Sequence, residues 1–285
     1  MIITAFKGYL GNQMFQYAAA RKFAHDGETE LKLDINAYNR YGLDLRDFNI
    51  TENLASKEDI SKLNSKGIMY YLEKLFLPRN KRSFVWEKYW EFDHDLIGIK
   101  RKNMYVRGVF QSEKYFEGIE NILRKEFTLK NSQDEKFHEI VKRISDENSV
   151  SVHMRRNDFL LPEQQAVYSQ CNLNYYNKAL GIIAQRVNPL NIFVFSDGIE
   201  WVKENVKFPF PTEYVSGQGF TAPQELILMS NCRHNITANS TFSWWAVWLN
   251  NNPKKIVIAP KDWLVDKDKN EKYTRHLIPK SWIQI

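Results

Sequence analysis

The stretch Val150-Ser-Val-His-Met-Arg-Arg-Asn-Asp-Phe159 decides the fold. Its first half is apolar enough for a strand, and the strand ends in His153, Arg155, Arg156 and Asp158. Side chains alternate along a strand, so His153 and Arg155 share a face. Apolar runs recur downstream at 192–195, 213–215, 235–237 and 256–258, with helical patterns between them at 174–187, 199–206, 223–229 and 242–250. Strands alternating with helices imply a parallel sheet, whose ligands sit beyond the carboxyl ends of the strands. Two adjacent arginines at such an end suit a nucleotide diphosphate, because guanidinium groups grip phosphate oxygens in two-pronged fashion and stay charged. Surface arginines held in ion pairs explain the same residues equally well.

Upstream the chain reads as a second α/β unit. An apolar strand at 2–6 runs into Lys7-Gly8-Tyr9-Leu10-Gly11, followed by a helix over about 13–25 and a strand at 31–33. Residues 56–77 are mostly helical, with Ser56 and Asp59 placed for a capped start. Residues 78–82 break the pattern, and 84–92 carry five aromatics among charges with no clear assignment. An extended stretch at 103–109 and a helix over 112–127 complete this half. The polar segment 131–149, with Phe137, Ile140, Val141 and Ile144 at helical spacing, marks the junction. The expected domains are therefore 1–130 and 131–285, in keeping with about two domains for a chain of 285 residues.

Composition narrows the function. Hydrophobic residues at 43% and aromatics at 14% are globular values and exclude a disordered chain. Lys and Arg exceed Asp and Glu by 40 to 34, a net charge of +6 that suits anionic partners and is equally explained by solubility. Cys171 and Cys232 make no disulfide framework and fit a reducing compartment. The start lacks signal-peptide features, and no stretch approaches the ~18 apolar residues of a membrane span. A cytoplasmic protein able to touch a membrane from that side is the expectation.

Three further segments bear chemistry. In Ile236-Thr-Ala-Asn-Ser-Thr-Phe-Ser-Trp-Trp-Ala246 a strand delivers Asn239, Ser240, Thr241 and Phe242 to a helix start, where free N–H groups can hold phosphate. Ordinary N-capping by Ser240 or Thr241 is compatible with that role, and the tryptophans read as core. Ile192-Phe-Val-Phe-Ser-Asp-Gly198 brings Asp197 to the same edge, either as an acceptor for ribose or guanine donors or as a helix cap. Gly8-Tyr-Leu-Gly-Asn-Gln-Met-Phe-Gln-Tyr17 resembles a phosphate loop, yet it is neither a dinucleotide fingerprint nor a Walker A sequence.

Taken together these segments resemble the family 11 glycosyltransferases, the bacterial and animal α-1,2-fucosyltransferases. The family pattern G-x-L-G-N-Q-M-F-Q-Y-A is matched at Gly8 to Ala18, H-x-R-R-G-D-Y at His153 to Phe159, F-S-D-D at Phe195 to Gly198, and N-S-T-F-S-W-W at Asn239 to Trp245. Gly108 to Phe116 and Ile258 to Trp263 also look like family segments, so the resemblance spans nearly the whole chain. Asn157 stands for the usual glycine, Phe159 for tyrosine, Gly198 for the second aspartate, and Gly8-Tyr9 for the common double glycine.

The resemblance implies two facing Rossmann-like α/β domains of the GT-B type, an acceptor-side half over 1–130 and a GDP-sugar half over 131–285. It implies inverting, metal-independent transfer of L-fucose from GDP-fucose to a galactoside, such as galactose O-2 in a surface polysaccharide, with a lipid-linked acceptor and peripheral membrane contact as further expectations. Arg155 would bind the diphosphate and stabilise the leaving group, and Arg156 would support it or pair with Asp158. Ser240 and Thr241, with Asn239 and Phe242 beside them, would line the β-phosphate, and Asp197 the guanosine. His153 would orient the loop or touch the nucleotide. Asn12 and Gln13, behind Gly11, would approach the fucose or acceptor without a carboxylate base.

The strings Asp93-His-Asp95 and Asp266-Lys-Asp268 follow no apolar strand beside these motifs and read as charged surface rather than a metal pair. The histidines lack zinc spacing. A transferase using another GDP-sugar is the nearest alternative. A nucleic-acid or membrane-surface protein using 78–82, Arg101 and Lys102 is the alternative of another class, and no nucleic-acid motif supports it.

Overall fold

The computed structural model describes residues 1–36, 42–64, 68–88, 91–131, 133–146, 148–157 and 161–285, with backbone alone at 68–70 and 146. It divides into two compact units, Met1–Lys130 and Asn131–Ile285.

The first unit runs β1 (Ile2–Ala5), α1 (Leu10–Asp26), β2 (Leu31–Asp34), α2 (Lys57–Leu63), α3 (Ile68–Phe76), β3 (Phe84–Trp86), β4 (Met104–Arg107) and α4 (Glu120–Glu126). Its sheet is parallel throughout, in the order β2-β1-β4-β3. Central β1 is wholly buried, as a parallel strand covered on both faces must be. Helix α1 is buried along most of its length, polar Gln13 and Gln16 included, and serves as a core element, with Phe15 against Phe116 and Tyr17 against Phe127.

Three expectations need correction here. The single helix expected over 56–77 is two: α2 opens with the anticipated Ser56–Asp59 capping box, and Asn64 leaves the helical region at ψ 72. The helix expected over 112–127 is a 3-10 turn (Glu113–Phe116) and then α4, separated by Gly118 at φ +89, which no helix accommodates. Asp93 is not surface: it is completely buried, ion-paired to Arg79, and its N–H donates to the Tyr115 hydroxyl at 2.7 Å. Asp266 and Asp268 are exposed, and Asp266 caps a later helix through the Lys269 N–H.

The aromatic segment 84–92 begins as β3, an edge strand with Phe84 and Val85 buried and Trp86 exposed; 89–90 lie outside the described residues. Just past it, one oxygen of buried Glu87 accepts the N–H groups of both Val109 and Phe110 at 2.7 Å. Phe110 sits at φ 49, uncommon for a bulky residue, and the Glu87 carboxyl holds it there.

The second unit runs α5 (Glu135–Asp146), β5 (Ser149–Met154), α6 (Pro162–Gln165), α7 (Leu173–Ala184), β6 (Asn191–Ser196), α8 (Ile199–Asn205), β7 (Thr212–Tyr214), α9 (Ala222–Asn231), β8 (His234–Ile236), α10 (Thr241–Leu249), β9 (Val257–Ala259), α11 (Lys267–Leu277) and β10 (Ile283–Gln284). Its sheet is parallel in the order β10-β9-β8-β5-β6-β7. The polar junction folds as α5 and buries Phe137, Ile140 and Ile144. The chain winds outward from β5 through β6 to β7, then returns to the other flank of β5 as β8. A buried amide network ties that return: Asn235 Nδ2 donates to Ser151 Oγ at 2.8 Å, and Asn250 Nδ2 to Asn235 Oδ1 at 2.8 Å. Among the described residues no helix is long and apolar enough to cross a membrane.

Burial pushes the Glu87 carboxyl from 4.5 up to about 7. Its contribution to stability is therefore full below pH 4.5 and is lost as pH rises through 7. Glu87→Gln retains an oxygen for both N–H groups and removes the titration. We expect the variant to gain, relative to wild type, on the order of 2–3 kcal/mol between pH 5 and pH 8. Urea melts at the two pH values measure it, and parallel pH profiles would refute the assignment.

Candidate functional site

The second sheet reverses its winding once, the first sheet sets β4 rather than β3 beside β1, and the sequence-selected residues gather beyond the ends of β5 and β8 and of β1 and β4. In the second unit the reversal lies between β5 and β8, which pair from Val150↔His234 to Val152↔Ile236. Past that register the carbonyls take other partners. Tyr176 Oη donates to the His153 carbonyl at 3.0 Å, and Tyr175 Oη to the Thr237 carbonyl at 2.7 Å. Two consecutive tyrosines of α7 thus hold the ends of the diverging strands. One end continues into Arg155 and Arg156, the other into Asn239, Ser240 and α10. The His153 and Phe242 rings, 5.5 Å apart, join the two sides.

Asp197, at the end of β6, binds the loop after β5. Its carboxylate accepts from the Arg156 N–H at 2.8 Å and the Asn157 N–H at 3.2 Å, and lies 3.5 Å from Arg155 Nε. The Asn157 side-chain amide donates to the Asp197 carbonyl. It does not cap α8, whose N-cap is Gly198. The Arg156 guanidinium lies 3.3 Å from the Trp201 ring centroid, a cation–π contact. Asp158 lies outside the described residues. Two departures from the family pattern meet here: a Cβ on Gly198 would come within 3.0 Å of Asn157 Oδ1. The side chain gained at 157 occupies the space that losing one at 198 leaves.

His153 is buried, and burial together with the Arg155 charge pushes its pKa down to about 3, so the ring is neutral. Among the described residues its Nδ1 has no hydrogen-bond partner. A neutral buried ring offers phosphate no charge. Asn239 is buried and structural: Nδ2 donates to the Ser169 carbonyl at 2.7 Å and the Trp263 carbonyl at 3.2 Å. Ser240 caps α10, accepting from the Phe242 N–H at 3.3 Å. Thr241 and Phe242 are half-buried in the first turn, and Trp244 and Trp245 behind them are core. That turn presents the positive end of a nine-residue helix at the reversal.

In the first unit the selected residues follow β1 and β4, which are neighbours at the centre of the sheet. Gly8 turns the chain at φ +85, where a Cβ would come within 2.5 Å of Asn12 Nδ2. Asn12 Oδ1 accepts from Gln111 Nε2 at 2.7 Å, joining the loops that leave the two strands. Gln13 is fully buried and differs from expectation. Its Nε2 donates to the Gly8 and Gly42 carbonyls at 2.9 and 3.1 Å, and its Oε1 accepts from the Asp44 N–H at 2.9 Å. It holds the loop instead of facing a ligand. Gly11 is buried in the first turn of α1.

Sequence reasoning passed over the tyrosine pair and Glu225, and it marked Gln111 only as part of the family-like segment Gly108 to Phe116. Ser216 Oγ donates to Glu225 Oε2 at 2.7 Å and accepts the Ser196 N–H at 3.0 Å, steadying the strand end that carries Asp197. Burial pushes the Glu225 carboxyl up to about 7. No local pattern marks Glu225, and the Tyr175-Tyr176 doublet after the Asn172 cap is the signal that could have drawn notice. Among the described residues no three His, Cys, Asp or Glu side chains gather to hold a metal.

The chain is 32% identical over 294 residues to an alpha-1,2-colitosyltransferase of Escherichia coli, covering 100% of this chain and 99% of that one. It is 29% identical over 306 residues to the O-antigen biosynthesis glycosyltransferase WbnK of Escherichia coli, covering 98% of each. The fucosyltransferase NodZ from Bradyrhizobium superposes with a TM-score of 0.51 at 13% identity, over 86% of this chain and 92% of that one. NodZ has also been co-crystallised with GDP, and that structure superposes at a TM-score of 0.50. The likeness carries the fold, two parallel α/β units of the GT-B type. The sequence profile of glycosyl transferase family 11 matches residues 1–285, and the chain belongs to that family.

Proposed function

We propose that this glycosyltransferase moves L-fucose from GDP-β-L-fucose to a galactoside hydroxyl, galactose O-2 in a surface glycan on a lipid carrier, with inversion at the anomeric carbon. The observation that carries the reading is the conjunction at the β5–β8 reversal of an arginine pair and a helix N-terminus. A doubly wound sheet binds ligands at such a reversal, and these two features supply positive potential to a diphosphate. In this reading Arg155 meets the diphosphate and stabilises the charge that builds on departing GDP, with the first turn of α10 around Thr241 beside the β-phosphate. Electrostatic stabilisation of the leaving group then does the work a divalent cation does in other transferases.

Asp197 and Arg156 act as positioning residues in this reading. Asn12 stands beyond the ends of β1 and β4 and approaches the sugar or the acceptor hydroxyl. Its amide is no strong base, so the step is driven by leaving-group departure.

A second donor is favoured by the resemblance to the colitosyltransferase. Colitose is fucose without its 3-hydroxyl, and discrimination between the two is asymmetric. A site that hydrogen-bonds the hydroxyl rejects the deoxy sugar by about 10⁴-fold or more, whereas an apolar pocket rejects the extra hydroxyl by only about 10²-fold.

Four outcomes test the reading. With lactose and EDTA present, GDP release from GDP-fucose is expected to rise and a fucosylated product to form; greater kcat/KM with the GDP derivative of colitose would assign that donor instead. Arg155→Ala should lower kcat/KM by about a hundredfold or more, and an unchanged value misplaces the donor site. Asp197→Ala should cost less turnover but speed hydrogen exchange at the Arg156 and Asn157 amides by about tenfold or more. Asn12→Ala should lower kcat with GDP affinity unchanged, and full activity removes Asn12 from the mechanism.

A further inference from the structure

Helix α3 is oriented against the usual rule for a helix on a globular body. Its acidic residue faces inward: Glu73 accepts the Ser83 N–H at 2.8 Å and the Ser83 hydroxyl at 2.7 Å. Arg82 closes the helix end, donating to the carbonyls of Lys74 and Leu77 at 3.0 Å each. Among the described side chains of α3, 71–76, four of the five exposed ones are apolar, Lys74 being the fifth. Tyr71 and Leu75, and Leu72 and Phe76, are two i, i+4 pairs on one stripe, exposed by 67, 75, 41 and 72% respectively. Trp86, whose carbonyl accepts from the Arg79 guanidinium, is 55% exposed on the segment packed against the helix end. A stripe of this kind is ordinarily what buries a helix.

The charges around the stripe say what covers it. Residues 71–88 hold five cations (Lys74, Arg79, Lys81, Arg82, Lys88) and two acids. Glu73 is bound to Ser83 and Glu87 is buried; Asp93 and Asp95 lie against Arg79, and Asp95 also against Lys88, so the basic outward balance rests on Lys74, Lys81 and Arg82. Lys74 and Lys81 are exposed. A second copy of the chain in a two-fold contact would set cations against cations. Single-stranded nucleic acid binds in a basic groove that tracks its backbone, whereas this face is one side of a helix, with aliphatic Leu72 and Leu75 set among the rings of Tyr71, Phe76 and Trp86. An apolar stripe with a cationic border fits the headgroup boundary of an anionic bilayer, where amphipathic helices lie in the plane of the interface.

We infer that α3 and residues 77–88 form a docking face for a membrane leaflet containing anionic phospholipid. Tyr71, Leu75 and Phe76 enter the acyl boundary, and Lys74 and Lys81 meet the phosphates. The inference gives the proposed transfer reaction a location and does not depend on the donor or the linkage.

Co-sedimentation of the full chain with phosphatidylcholine vesicles, with and without phosphatidylglycerol, tests it. The protein should pellet with the anionic vesicles and be released by salt. Leu75→Ser with Phe76→Ser should lower partitioning by about tenfold or more, and Lys74→Glu and Lys81→Glu by about fivefold each. Because all four side chains are exposed, melting temperatures should stay at the wild-type value, which separates lost docking from misfolding. Equal pelleting of wild type and the serine double variant would overturn the inference. So would a concentration-dependent dimer that the same double variant abolishes, since the face would then belong to a second copy. Transfer to soluble lactose is read separately, so failure of either proposal leaves the other standing.

Discussion

A parallel sheet can extend in one direction only until its winding reverses, and at the reversal neighbouring strands lead their chains to opposite faces. The backbone groups just past the last shared register then lack ladder partners, and a buried carbonyl without a donor costs about 1–3 kcal/mol. Much of this molecule's polar chemistry answers that constraint. In the second unit the Tyr175 and Tyr176 hydroxyls take up the Thr237 and His153 carbonyls. In the first unit the Gln13 and Gln16 amides take up backbone groups at Gly8 and Lys7. Once those groups are satisfied, the space beyond the central strand ends of each sheet is lined by side chains held in hydrogen bonds.

The loop after β5 shows how a charge pattern and a backbone pattern are made by one residue. The Asp197 carboxylate lies against two backbone N–H groups and the Arg155 guanidinium, so the anion that orients the loop also neutralises part of it. In the proposed reading an incoming diphosphate would compete with Asp197 for the same cation. The swap of side chains between 157 and 198 leaves this arrangement intact, because the carboxylate is held through backbone N–H groups that any residue at 157 provides.

The strands, their alternation with helices and the junction near residue 131 were legible in the sequence because apolar runs between turn residues are a local signal. Gly118 and Asn64 were visible too, but their power to break a helix depends on φ and ψ values that residue identity does not reveal. The last strand and α11 escaped notice: Ile283–Gln284 is too short for a pattern, and α11 is largely polar. Asp93 read as surface because its burial follows from Arg79 and Tyr115, 14 residues before it and 22 residues after it in the chain. For the site, the sequence named the right segments but not the division of labour within them. Gln13, Asn239 and Asp197 belong to the motifs, yet in the structure they bind backbone; Gln111, inside a family-like segment, ties to Asn12, and Glu225 bears on the Asp197 strand end with no local pattern to announce it.

That division has a physical cause that extends beyond this chain's motifs. A polar side chain beyond a strand end either satisfies protein backbone or remains available to a ligand, and the first role has the stronger claim when the residue is buried. The fully buried Gln13 and the nearly buried Asn239 are therefore loop-holding residues, while the half-buried Asn12, Arg155 and Thr241 lie where solvent or a ligand reaches. Substituting a residue of the first kind removes activity by letting a loop move, with a loss of stability alongside. Substituting one of the second kind removes activity at constant stability. Motif membership does not separate these two kinds of residue; burial and hydrogen-bond partners do.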